Sequence, residues 1–340
     1  VFSGYQLYLD CQGDISERIG GVTSYWPEAQ AVGGDTLFDV GSLTKVLATT
    51  TLAALGMQEN KLQLTDSLGD WISELKGTRY AALELGELLS HAAGIVGWYP
   101  IFRDFSGKNV LEWFISHSDS VVISDPRKKT VYSDLGFLLL GAVLERCFGG
   151  DLAPVFEREV VRRLKLKSVS FGPIKPSENV AATEYCLERK RLLQGEVFDE
   201  NSFALGGKTS HAGLFANARE IGAFCRGWLD AMKGKDSWLS TDIARLFTQR
   251  SGLVPQSTWG YGWDTKSKTF SSAGDLFSEK SFGHLGYTGC SMWVDPERDA
   301  IAIWLTNRVH PSRFDERIKR LRPRLHDEIA TVWSLPGWKR

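Results

Sequence analysis

Apolar residues fall along this chain in two rhythms. Near the start, Gln6–Cys11 and Gly20–Tyr25 alternate or cluster over short spans and predict strands, with Gly13-Asp14 marking the turn between them. Near the end, Cys290–Val294 and Ala300–Thr306 do the same, and Asp295-Pro296-Glu297-Arg298-Asp299 predicts a hairpin between them. Ser42 to Met57, and much of the stretch from 60 to 255, carry a helical period instead. After Pro311, the residues Phe314, Ile318, Leu321, Leu325 and Ile329 form one stripe of a helix that Pro323 is expected to kink. The basic cluster there (Arg313, Arg317, Lys319, Arg320, Arg322, Arg324) reads as a solvated helix face, because acidic residues interleave it.

Strands at both ends with helices between them predict one sheet built from the two chain ends. The expected fold class is α/β. Residues 1–58 and 256–340 are expected to form the sheet domain, and 59–255 a mostly α inserted domain, with a cleft between the two.

Composition narrows the function. A chain of 340 residues with net charge −1 has ample core and no global field that would favour nucleic acid or an anionic membrane. No apolar run reaches the roughly 18 residues of a membrane span, so Val46–Leu55 and Leu135–Leu144 read as buried helices. The five cysteines, Cys11, Cys147, Cys186, Cys225 and Cys290, lack metal-ligand spacing, so neither a metal nor another cofactor is expected. Their odd, dispersed set favours a reducing, cytoplasmic setting, while a start at Val1 is compatible with a removed signal peptide.

The candidate chemistry begins at Gly41-Ser42-Leu43-Thr44-Lys45. Three residues on a helix is about 300° of rotation, so the Ser42 hydroxyl and Lys45 amine share one face. A serine needs a base within reach, and apolar neighbours can lower a lysine into that role. A second Ser-x-x-Lys, Ser73 to Lys76, reads instead as the end of an amphipathic helix with a solvated lysine. Tyr132-Ser133-Asp134 stands before the Leu135–Leu144 helix, where a phenol can share the work of the base. His284-Leu285-Gly286-Tyr287-Thr288-Gly289 precedes the last hairpin, and a glycine-rich edge lets a substrate backbone lie alongside and offers an N–H to an oxyanion. His211-Ala212-Gly213 fits the same pattern but sits in a glycine loop with no strand predicted after it, so His211 is read as structural.

Taken in order, Ser-x-x-Lys, Tyr-x-Asp and His-x-Gly resemble the serine β-lactamase and penicillin-binding superfamily, on its class C-like branch. Asp35 to Lys45, Leu88-Leu-Ser-His-Ala-Ala-Gly94 and Tyr132 to Phe137 strengthen the likeness. Val197-Phe-Asp-Glu-Asn201, Ser210-His-Ala-Gly-Leu-Phe215 and Thr306-Asn-Arg-Val-His-Pro311 are similar to a subgroup holding D,D-carboxypeptidase-type proteins and N-acetylmuramoyl-L-alanine amidases. The resemblance implies a β-lactamase/transpeptidase-like fold, Ser42 as acylated nucleophile, and Lys45 with Tyr132 as proton-transfer pair. It also implies Asp134 where many relatives have asparagine, His284 where they have lysine, and an oxyanion hole from the Ser42 and Tyr287 N–H groups. Gly286 is expected to meet substrate, with Trp98 and Tyr99 at the cleft rim. Phe198 stands where the subgroup often has histidine.

The departures have consequences. Ionised Asp134 accepts hydrogen bonds but cannot donate as asparagine does, and beside Lys45 it holds the lysine protonated. His284 is a weaker, pH-dependent anchor for a carboxylate than lysine. The expected function is acyl-enzyme hydrolysis of peptidoglycan-derived peptide or amide bonds, with weak or no β-lactamase activity. A promiscuous esterase or β-lactamase of the same fold, and a penicillin- or peptide-binding module without turnover, are the alternatives. No His-Glu-x-x-His or Gly-x-Ser-x-Gly occurs, which counts against a zinc hydrolase and an α/β-hydrolase.

Overall fold

The computed structural model describes residues 1–105, 110–175, 179–235 and 238–334. Its centre is a six-stranded antiparallel sheet from the two ends of the chain. In chain order the strands are β1 (Gly4–Cys11), β2 (Asp14–Gly21), β3 (Asp264–Thr265), β4 (Phe282–Leu285), β5 (Ser291–Asp295) and β6 (Ala300–Thr306). They lie side by side as β2-β1-β6-β5-β4-β3. Strand β1 is zipped to β6 from Tyr5 opposite Thr306 to Cys11 opposite Ala300, which brings the chain's first and last strands together at the sheet centre.

Alternation along these strands divides the core between two faces. Tyr8, Met292, Val294, Ile301 and Ile303 face the main core. Leu9, Trp293, Ala300 and Ala302 face the other way, onto Ile329, Ala330 and Trp333 of the C-terminal helix Ile318–Trp333. That helix runs through Pro323 as one element. On the main-core side the helix Ala218–Met232 packs on β1 and β6. Gly222 is what allows this approach, since a Cβ there would stand 2.3 Å from Tyr8 Cε1.

Two strands differ from their expected positions. The strand expected at Gly20–Tyr25 runs from Asp14 to Gly21, directly after the turn at Gln12 and Gly13. It is an outer strand with no fully buried residue, so no apolar face announces it. A three-residue strand, Leu214–Ala216, does follow His211-Ala212-Gly213. It pairs with Phe38–Asp39 and Val169–Phe171 in a small separate sheet.

The helix expected from Ser42 begins after a tight turn at Gly41 and Ser42, is π-helical over Lys45–Thr50, and continues as Thr51–Gln58. The helix Asp134–Phe148 packs against it and buries nearly every apolar residue. Among the described residues no helix is long and apolar enough to cross a membrane.

Candidate active site

Ser42 and Lys45 come together because the turn hands the chain straight into a buried helix. Lys45 Nζ donates to Ser42 Oγ at 3.1 Å and to the His211 carbonyl at 3.1 Å, and it meets Asp134 Oδ1 at 2.6 Å. Its side chain is fully buried. Burial on its own would discharge the amine, but the Asp134 carboxylate and Tyr132 outweigh it and hold the Lys45 pKa above its ordinary value. The Tyr132 hydroxyl interacts with both Lys45 and Ser42, and Lys45 Nζ stands 5.0 Å from the centroid of its ring. Burial raises its phenol, Lys45 pulls the other way, and Asp134 adds to the rise, leaving a net upward shift.

The tyrosine is held by the 91–97 loop. Ser133 caps the following helix by accepting the Gly136 N–H at 3.1 Å, and its own hydroxyl donates to the Val96 carbonyl. The Ser133 N–H donates to His91 Nδ1, and the Asp134 N–H to the Gly97 carbonyl. These bonds aim Tyr132 and Asp134 at Lys45 from the start of one helix.

Opposite them runs the 286–290 turn. Gly41 lies so close that a Cβ there would stand 3.3 Å from the Tyr287 nitrogen, at a φ of +54° that favours glycine in any case. Among the described residues neither the Ser42 nor the Tyr287 N–H is spent on a backbone hydrogen bond. Two donors beside one serine hydroxyl are what an oxyanion hole requires.

The family model described as Beta-lactamase matches residues 19–325. This chain belongs to the β-lactamase family. A protein of Escherichia coli (strain K12) named "Putative D-alanyl-D-alanine carboxypeptidase" is 28% identical, over 89% of this chain and 76% of its own length. In fold the chain is similar to a class C β-lactamase (TM-score 0.75, 16% identity, 96% of this chain and 93% of that one). It is also similar to EstCE1, described as a hydrolase with promiscuous acyltransferase activity (TM-score 0.73, 20% identity, 95% and 94%). The fold is β-lactamase/transpeptidase-like and the enzyme a serine-type hydrolase of this family.

Ser42 and Tyr132 line two cavities. One, of about 400 Å³, has Asp39, Trp98, Phe198, Asp199 and Arg313 in its walls. The other, of about 290 Å³, has Trp259, His284, Gly286, Arg308, Lys319 and Arg322. A cavity of about 420 Å³ near Trp26 and Gln194 contains none of the candidate residues. Among the described residues no three metal-ligating side chains gather.

Three expectations need correction. Tyr99 does not line either cavity; its ring packs 5.1 Å from Trp113 and 6.0 Å from His117, because the chain turns inward after Trp98. His284 is not a pH-dependent cation, since burial and then the Lys45 charge lower it to about 3. Its Nδ1 donates to the Leu285 carbonyl at 2.8 Å, which leaves Nε2 as an acceptor. Arg322 is not on a solvated face. It is 6% exposed and donates to the carbonyls of Gly286 and Cys290 at 3.0 Å each.

Sequence reasoning did not single out Asp39, Arg308 or the working part of His211. Asp39 accepts the Gly41 and Phe198 N–H groups, and burial pushes its carboxyl up to about 6. His211 pairs with Asp199 at 2.9 Å while its carbonyl steadies Lys45. The only signal for them lay in the strings matched as resemblance: Asp35 to Lys45 around Asp39, Ser210 to Phe215 around His211, and Thr306 to Pro311 around Arg308.

Trp98 is 47% exposed, its ring 6.4 Å from Phe102. Trp98→Ala is expected to raise KM several-fold and leave the melting temperature unchanged. Lost thermal stability with unchanged KM makes it an ordinary packing residue.

Proposed function

We propose that this enzyme cleaves peptide or amide bonds of peptidoglycan-derived substrates through an acyl-enzyme on Ser42, in the manner of a D,D-carboxypeptidase or muropeptide amidase. The observation that carries this reading is the cationic wall beside the serine. Among the described residues neither Arg308 nor Arg322 is paired with a carboxylate; both guanidinium groups bond backbone carbonyls instead. They give the smaller cavity positive charge that suits the terminal carboxylate of a departing amino acid, whereas Lys319 in the same wall is paired with Glu316 at 2.5 Å. The name of the E. coli relative agrees with a carboxypeptidase.

In this reading Tyr132 takes the Ser42 proton as Oγ attacks the acyl carbon, and the Ser42 and Tyr287 N–H groups stabilise the oxyanion. Lys45, kept charged by Asp134, lowers the cost of a phenolate beside it. Tyr132 then returns the proton to the leaving nitrogen. Water repeats the sequence on the ester, restoring Ser42 and releasing the acid.

A second reading, a promiscuous esterase, is favoured by the neutral His284, which adds no charge for a substrate carboxylate. A panel of D-Ala-D-Ala peptides, muropeptides, short-chain esters and a chromogenic cephalosporin, with products read by mass, separates the readings. Release of a terminal amino acid, or of the peptide from its muramoyl group, supports the first. Ester cleavage alone favours the second, and stoichiometric acylation without product identifies a binding module.

Asp134→Asn is expected to raise cephalosporin hydrolysis about tenfold, equivalent to about 1.4 kcal/mol of transition-state stabilisation. The amide supplies a donor that a carboxylate lacks and relaxes the hold on the Lys45 proton. Loss of activity on every substrate, esters included, shows instead that Asp134 is a working partner of Lys45 or Tyr132.

A further inference from the structure

The turn bearing Ser42 and the strand end bearing Tyr287 come from opposite halves of the chain, and one residue is fastened to both. The Phe198 N–H donates to Asp39 Oδ2 at 2.7 Å, and Oδ1 of the same carboxylate accepts the Gly41 N–H at 2.8 Å. The backbone at 198 is thereby tied to the peptide preceding Ser42. The Phe198 ring in turn lies 5.7 Å from the Tyr287 ring, with the planes 24° apart.

This ring pair is continued at both ends by cations. Arg308 stands 4.3 Å from the Tyr287 ring centroid, and Arg313 stands 4.4 Å from that of Phe198. Neither arginine is loose. Arg308 Nε donates to the Tyr287 carbonyl at 2.8 Å, and Arg313 is held by Glu184 and by Glu200, the latter at 2.6 Å. Cation on ring, ring on ring, and cation on ring are each attractive contacts. The Tyr287 side chain is 53% exposed, so without this row little would fix it, or the peptide behind it.

We propose that Phe198 is a positioning residue for the oxyanion hole: through Asp39 and through the Tyr287 ring it sets the distance between the Ser42 and Tyr287 N–H groups. The inference rests on those two groups being the hole. It assigns Phe198 a role distinct from touching substrate, although the ring also faces the larger cavity. Donors fixed in advance are worth most in the transition state, so losing their register lowers kcat more than it weakens binding.

The test uses Phe198→Ala, Phe198→Leu and Phe198→Tyr in the full chain, with p-nitrophenyl butyrate hydrolysis and the rate of Ser42 labelling by a fluorophosphonate. The alanine and leucine variants are expected to lose about 10- to 50-fold in kcat and in labelling rate, less than removal of a whole oxyanion donor. KM should stay within about threefold, and the alanine variant should melt lower than the leucine variant, because Phe198 is buried and the shorter side chain leaves the larger gap. The tyrosine variant should recover to within about threefold of the native rate, because it restores the ring contact. Native rates in Phe198→Leu, or a loss confined to KM, overturn the proposal. If the alanine variant does not fold, the leucine variant, which keeps most of the volume, decides. If the native enzyme does not turn over the ester, the labelling rate decides. A Ser42→Ala enzyme that still turns over removes the hole itself. An inactive Ser42→Ala enzyme beside an unaffected Phe198→Leu overturns this proposal alone.

Discussion

Ser42→Ala is expected to abolish turnover, with a loss of about 10³ or more in kcat, while Ser73→Ala leaves the rate unchanged. The two serines share a four-residue pattern and nothing else. Ser42 Oγ accepts from a lysine with no solvent exposure, beside a tyrosine and two N–H donors free of backbone partners. Ser73 opens a short 3₁₀ turn, bonds its neighbour Glu74 at 3.1 Å, and leads to an exposed Lys76. Removing the nucleophile from a unit whose members act together costs nearly everything that unit supplies. Steady-state activity of Ser42→Ala equal to the native enzyme on every substrate of the panel would falsify the mechanism as a whole.

The contrast between those serines shows where the sequence was readable. Motif order located Ser42, Lys45, Tyr132, Asp134 and the 284–289 segment. Ser42, Tyr132, Asp134, His284, Gly286 and Tyr287 line one or both of the two cavities beside the serine, with Lys45 buried behind Ser42; Trp98 lines the larger cavity and Tyr99 neither. Strands that are apolar along their length, such as Ala300–Thr306, were legible from the short apolar run itself. The polar strand Asp14–Gly21 was not, since it sits at a sheet edge and buries little.

Side-chain direction and charge state escaped for a different reason. Whether Trp98 or Tyr99 faces the cleft is set by one turn of backbone, and both are aromatic. His284 looks titratable in a sequence, yet its environment makes it a neutral acceptor. Arg322 sits in a basic run whose interleaved acidic residues suggest solvent, while the carbonyls of a distant turn hold it in the interior. Long-range backbone acceptors of this kind leave no mark on local composition.

Tyr132→Phe is the sharpest test of how protons move here, with an expected loss of about 10² to 10⁴ in kcat/KM. The substitution removes only the hydroxyl. The ring keeps its places 4.6 Å from His91 and 5.6 Å from Trp259, so the melting temperature should hold. Lys45 cannot readily stand in, because Asp134 at 2.6 Å still favours its charged form once the tyrosine hydroxyl is gone. The Tyr132 pKa is also raised, so its phenolate is a minor species at neutral pH and grows as pH rises. In the native enzyme kcat/KM should therefore climb between about pH 6 and 9, and this dependence should flatten in Tyr132→Phe. No inflection is expected from His284 near its ordinary 6.5, since burial and Lys45 lower it to about 3. A Tyr132→Phe enzyme with native rate and native pH profile assigns the base to Lys45, and the Asp134 pair then has to open during each turnover.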